Sequence, residues 1–280
     1  MGFGTLAHTA GNLPLKELTA KLQNRGIDFV QLALTKAIGD IDTGTGKLSP
    51  GLASYIAEQF DRCGLRIGVL GCYINPVHPD PDIRRQEIAR FKEHLRYARD
   101  FGTSIVATET GSLETYREQD PERYVEIGWN VLRQTVEELA EEAERWGVTI
   151  GLEPVSSHTL SSARNMVRIM EEVPSSTLGV VFDPCNLLTP RQYEDQEEFL
   201  EEAFRLFGPR IVLSHLKDVT LNEGKLREVR SGQGGFRTAS FLEKLQQAKP
   251  FVDVSLEAVS NDTLDETIRY VRELAGQPVR

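Results

Sequence analysis

Four stretches of this chain end a run of strand-forming residues on a side chain that can carry charge. They are Glu153 in TIGLEP (149–154), Asp183 in LGVVFDP (178–184), His215 in RIVLSHL (210–216) and Glu257 in VDVSLE (252–257). Successive members lie 30, 32 and 42 residues apart. An ionisable group that ends a buried strand is either partnered for structural reasons or aimed at a site. For any one of them alone the structural explanation is the commoner. Brought to one place, three carboxylates and an imidazole would need a compensating cation, because like charges in a dry cavity force protonation. A divalent metal meets that need. Three oxygen ligands and one nitrogen favour Mn²⁺, with Mg²⁺, Co²⁺ and Zn²⁺ as alternatives, whereas a structural zinc would bring thiolates.

The elements that must position these residues alternate regularly. β-rich runs occur at 2–8, 26–34, 65–74, 103–110, 147–153, 178–183, 210–216 and 251–257. Amphipathic helical patterns follow them at 13–26, 49–64, 80–101, 121–146, 161–172, 195–207, 238–248 and 262–275. Ser49-Pro50 marks a helix start, and Gly26, Gly64, Gly102 and Gly147 each stand between a helix and the next strand. Strands alternating with helices imply parallel strands joined by crossovers. Eight units of about 35 residues predict a (β/α)8 TIM barrel occupying 1–280 as a single domain. Residues 219–237 read as a long loop. A doubly wound open sheet would carry a Gly-rich phosphate turn after its first strand, and AHTAGNLP (7–14) is not one. In a barrel the C-terminal strand ends converge, so Glu153, Asp183, His215 and Glu257 are expected to meet.

Composition bounds the partners. A formal net charge of −10 opposes nucleic acid and anionic membranes. No apolar run approaches the roughly 18 residues of a membrane span. Three scattered cysteines, Cys63, Cys72 and Cys185, suit reduced thiols and a cytoplasmic location better than a disulfide framework. The start MGFGTLAHTA lacks the basic-then-apolar pattern of a secretory signal.

The set GLEP, VVFDPCN, SHLKD and SLE resembles the xylose isomerase-like barrel superfamily, also described as the sugar phosphate isomerase/epimerase or AP endonuclease family 2 group. The resemblance covers essentially the whole chain. It implies that Glu153, Asp183, His215 and Glu257 are metal ligands, and that Glu153 and Glu257 also act as an acid/base pair. The implied chemistry is proton abstraction next to a carbonyl of a ketose, sugar phosphate or keto-polyol, through an enediolate. Returning the proton gives isomerisation or epimerisation. Expelling a β-hydroxyl instead gives a dehydratase of the inosose or 3-dehydroshikimate type, and HLKD resembles both branches. Many members carry histidine where this chain has Asn186. DNA-cleaving members use several histidines, and this chain has 5 in all, with Glu109 at the fourth strand end. A non-catalytic sugar-binding barrel is opposed by the intact Glu153/Glu257 pair. Pairing into a homo-oligomer is common in the group.

Further residues are expected at the mouth. His8 follows the first strand, Tyr73 and Asn75 end the third, Glu109 ends the fourth, and His158 lies in the loop after the fifth. Asn186 offers a hydrogen bond to a substrate hydroxyl, and Lys217 a charge or a proton. Arg230 precedes the glycines of GQGGF (232–236), which resemble a family Gly-x-Gly stretch. By resemblance to ketose epimerases, Arg230 is expected to reach over the substrate. The glycines fit a phosphate cradle or simply a turn that needs small residues. His78 reads as loop structure, and Trp129 and Trp146 as packing or interface residues.

Overall fold

A computed structural model of the chain describes residues 1–278. Its strands are β1 (Phe3–Leu6), β2 (Phe29–Leu32), β3 (Arg66–Gly71), β4 (Ile105–Glu109), β5 (Thr149–Glu153), β6 (Leu178–Phe182), β7 (Ile211–Leu216), β8 (Asp218–Asn222), β9 (Lys225–Val229) and β10 (Val254–Leu256). Its helices are α1 (Leu15–Leu22), α2 (Leu34–Ala37), α3 (Pro50–Asp61), α4 (Pro81–Tyr97), α5 (Glu114–Gln119), α6 (Tyr124–Trp146), α7 (Ala163–Glu172), α8 (Pro184–Leu187), α9 (Gln196–Phe207), α10 (Thr238–Ala248) and α11 (Leu264–Leu274). Strands β1 to β7 pair in sequence order, β10 pairs with β7, and β10 closes on β1. All eight pairings are parallel, as the predicted TIM barrel requires. No helix among the described residues is long and apolar enough to cross a membrane.

Local chemistry sets the helix ends. Ser49 caps α3 by accepting from the Leu52 amide, and Pro50 takes the first position, where its missing N–H costs nothing. Asp80 and Ser162 cap α4 and α7 in the same way. At the end of α6, Gly147 adopts φ 60, a left-handed turn that a side chain would disfavour, and its N–H returns to the last-turn carbonyls.

Side chains facing into the barrel and those facing the helices form separate cores. Inside lie Phe29, Val69, Ala107, Val181 and Leu213. Outside, Phe182 packs edge-on against Phe207, Phe204 and Phe241 at 5.0, 5.7 and 5.7 Å, which ties β6 to α9 and α10. The interior makes room by glycine. A Cβ at Gly4 would meet the Phe29 ring at 2.7 Å, so β1 must be bare where β2 fills the barrel.

The stretch expected as a loop over 219–237 contains a hairpin. β8 and β9 pair antiparallel from Asp218↔Val229 to Asn222↔Lys225, outside the barrel sheet. Glu223 and Gly224 turn it with φ of 50 and 74, the double positive φ that suits the twist of a two-residue hairpin.

Candidate metal centre

Period-two alternation carries the interior face of each strand up to its charged end. On β6, Val181 lies inside and Phe182 outside, so Asp183 returns to the inside. On β7, Leu213 leads to His215, and on β4, Ala107 leads to Glu109. Ser255 is in register with His215, which places Glu257 two residues further along the same face. Glu109 is in register with Glu153.

Glu153, Asp183 and His215 each offer a ligand atom within 4.8 Å of the others, and all three are buried. His215 Nδ1 lies 3.3 Å from Glu153 Oε1 and 3.1 Å from Glu257 Oε1. Glu257 stands beside the trio, and its other oxygen is 3.1 Å from Lys217 Nζ. Lys217, only 3% exposed, also reaches Asp183 Oδ2 at 3.2 Å and Glu228 of β9 at 2.8 Å. Asp183 Oδ1 accepts from the Cys185 and Asn186 amides and so caps α8. Asn186 Nδ2 donates to Glu153 Oε1 at 2.7 Å. Immediately after Glu257, Ala258 takes φ 53, a left-handed conformation costing roughly 1–2 kcal/mol for a residue with a side chain.

The electrostatics follow from this crowding. Burial alone would hold the His215 imidazole down, but Glu153 and Glu257 outweigh it and push it up to about 10. Burial raises the Asp183 carboxyl against the opposing pull of Lys217. Burial also disfavours charge on Lys217, and Asp183 and Glu257 more than reverse that.

The cluster fits a divalent cation. Asp183 Oδ2 is fully buried and accepts no hydrogen bond, though the Lys217 ammonium stands 3.2 Å away as an ion-pair partner. A carboxylate oxygen free of hydrogen bonds, gathered with a buried imidazole nitrogen and a second carboxylate, is the kind of donor set a divalent ion takes. The donor set is oxygen and nitrogen with no thiolate, as hard or borderline divalent ions prefer. Cys185, the cysteine nearest in sequence, turns its Sγ to the Lys217 carbonyl at 3.5 Å.

The outer residues divide. Tyr73 is half-buried, and its hydroxyl accepts from Gln31 Nε2 at 2.8 Å. Burial and the Glu153 and Glu257 charges raise its phenol. Glu109 is half-exposed, with His158 Nδ1 3.6 Å from Oε2. Burial lifts the Glu109 carboxyl, with Glu153 and Glu257 adding to it. His158 and His8 are both held down by burial. His8 sits in the single 3-10 turn after β1, and its Nδ1 has no partner.

Arg230 has a partner of its own. It donates to Glu266 of α11 at 3.1 Å, a partner the sequence could not indicate, because α11 packs over this loop only in the fold. The glycines serve a turn. The amides of Gly232 and Phe236 already donate to Asp218, and that of Gly235 to the Val219 carbonyl. A Cβ at Gly234 would fall 2.3 Å from Asp218 Oδ1. His78 is loop structure, accepting from the Asp80 amide ahead of α4. Trp129 is buried and donates to Glu172, whereas Trp146 is largely exposed and donates to Glu142.

Sequence reading missed Gln31. It is fully buried on β2, and its Oε1 lies 2.9 Å from His215 Nε2. The available signal was a lone amide inside the apolar run FVQL (29–32), two residues after Phe29.

A family model described as the xylose isomerase-like TIM barrel matches residues 19–274. No curated protein matches the chain. Among solved structures, a D-tagatose 3-epimerase-like protein aligns at 20% identity and TM-score 0.76, over 99% of this chain and 98% of that one. The IolI protein with a bound zinc atom aligns at 18% and 0.74, over 99% and 98%. The 3-keto-D-glucoside 4-epimerase of E. coli aligns at 14% and 0.73, over 98% and 99%. At these identities the likeness is one of fold.

Proposed function

The chain belongs to the xylose isomerase-like TIM barrel family, and on that footing we propose that it is a divalent-metal-dependent sugar isomerase or epimerase. The observation that carries this reading is the buried meeting of Glu153, Asp183 and His215, with Glu257 against the same imidazole nitrogen. Those four residues would hold the ion, and Mn²⁺ suits the donor set best. When bound, the ion supplies a Lewis acid that polarises the substrate carbonyl and offsets the negative charge left when a neighbouring proton departs.

The chain's own carboxylates move that proton. Asn186 donates to Glu153 Oε1, the oxygen that also lies 3.3 Å from His215 Nδ1, which leaves Oε2 to face substrate. Glu257 is steadied by His215 on one oxygen and Lys217 on the other. In this reading one carboxylate takes the proton beside the carbonyl and the other returns one to the opposite face or the neighbouring carbon. Asp183 and His215 chiefly hold the ion.

The substrate class we assign is an uncharged ketose or keto-polyol. In support, the glycine-turn amides are engaged by Asp218 and Val219, and Arg230 is paired to Glu266, so neither is set aside for a phosphate. Similar structures are named as a D-tagatose 3-epimerase-like protein and a 3-keto-D-glucoside 4-epimerase, names that carry no phosphate.

The test is solvent deuterium exchange into ketoses, their phosphates, keto-inositols and 3-dehydroshikimate, with metal-loaded protein and Glu257→Gln as control. Metal-dependent exchange at the carbon beside the carbonyl of an unphosphorylated substrate, lost in the variant, is expected. Loss of water to a conjugated product would reassign the reaction to a dehydratase. Metal-loaded protein that exchanges none of these protons would overturn the reading.

A further inference from the structure

The imidazole at the centre of this cluster has two nitrogens, and only one faces the carboxylates. A metal-binding histidine usually donates its other N–H to a fixed acceptor, which sets the tautomer and the ring orientation. We propose that Gln31 is that acceptor. It is a positioning residue that keeps the His215 proton on Nε2 and so leaves Nδ1 to the ion. The proposal rests on the metal reading given above.

Three observations point the same way. Gln31 lies on β2, across the barrel from β6, and is fully buried, with Oε1 2.9 Å from His215 Nε2. His215 Nδ1 faces Glu153 and Glu257 at 3.3 and 3.1 Å, where the ligands gather. The amide of Gln31 is also held at its other end, where Nε2 donates to the Tyr73 hydroxyl at 2.8 Å. Were the amide turned over, its NH₂ would point at His215 Nε2. The ring proton would then belong on Nδ1, in the place of the ion. The carbonyl end of one buried side chain therefore selects between a metal-binding and a metal-blocking imidazole. Tyr73 holds that side chain from the far end. Its ring is fixed in turn by Lys36 Nζ, 4.2 Å from the centroid.

The experiment is zinc titration with a competing chelator, paired with long-range ¹H–¹⁵N correlation spectra of the zinc-loaded imidazoles, on wild type, Gln31→Leu and Gln31→Glu. His215 is assigned among the 5 histidines by loss of its signal in His215→Gln. Wild type is expected to show Nε2 protonated and Nδ1 coordinated. Gln31→Leu should lose about 10- to 100-fold in zinc affinity, the usual cost of removing such a partner. Gln31→Glu keeps an acceptor oxygen and should recover most of that loss with the same ring signature. Thermal melts confirm that each variant folds. Should wild type bind no zinc through His215, the metal reading fails and this inference with it. Should wild type bind while Gln31→Leu binds equally well, or should the ring coordinate through Nε2, the Gln31 assignment alone is overturned. Loss of affinity in Gln31→Leu that Gln31→Glu does not restore would also overturn it, marking a packing effect instead.

Discussion

Around the mouth of the barrel, β5, the residue after β6, β7 and the residue after β10 present Glu153, Asp183, His215 and Glu257. The facing half presents Gln31 after Phe29 on β2, the Tyr73 ring after β3, and the half-exposed Glu109 on β4. One half carries most of the charge, and the other, Glu109 apart, carries shape and hydrogen bonds. Charged groups at a dry site must stand close enough to share a cation, which favours neighbouring strands. The opposite half then does two things that neutral residues do well. It fills the barrel floor with Phe29 between bare glycine positions, and it fixes the imidazole from behind.

That contrast can be broken from either side. The largest effect is expected at Glu257. Glu257→Gln removes a proton-transferring carboxylate and should lower turnover on a competent substrate by about 10²–10⁴-fold at saturating metal, the usual contribution of such a group. A steady-state kcat within tenfold of wild type would remove Glu257 from the proton path. On the neutral half, Phe29→Ala should leave a cavity in the barrel floor and cost about 3–5 kcal/mol in urea unfolding. A loss under 1 kcal/mol would mean that Phe29 is not holding the two halves apart.

Lys217 sharpens the comparison, because it is the cation that the charged half supplies for itself. Lys217→Met should destabilise the metal-free protein by about 3 kcal/mol, since Asp183 and Glu257 lose a buried partner. Added Mn²⁺ should recover much of this by restoring positive charge. Urea unfolding with and without Mn²⁺ measures it, and a deficit unchanged by metal would show that Lys217 does not compensate this cluster. The smallest effect belongs to Arg230. Arg230→Ala removes a partly exposed pair with Glu266 and should shift stability by less than about 0.5 kcal/mol and leave turnover unchanged. A large loss of turnover would bring the loop back into the site.

The charged half was legible in sequence because each of its members ends an apolar strand, where an ionisable group stands out. Asn186 and Lys217 were found by adjacency, three residues after Asp183 and two after His215. Gln31 was not found. A glutamine in a strand declares a function only once register shows which face it takes and what stands opposite, and His215 is 184 residues away. The hairpin of β8 and β9 escaped for a different reason. It lies outside the barrel, so its alternation is only weakly apolar, and Glu223-Gly224 is a fainter turn signal than Asn-Gly or Asp-Gly. Arg230 was placed by resemblance, but its partner depends on how the last helix packs.

The central claim is that the four strand ends form one metal centre. The most direct measurement is an anomalous difference map from crystals grown with Zn²⁺. The expected result is one strong peak about 2.0–2.2 Å from His215 Nδ1 and from oxygens of Glu153 and Asp183, with Glu257 turned onto it. A map with no peak there, and Lys217 still bridging Asp183 and Glu257, would contradict the claim.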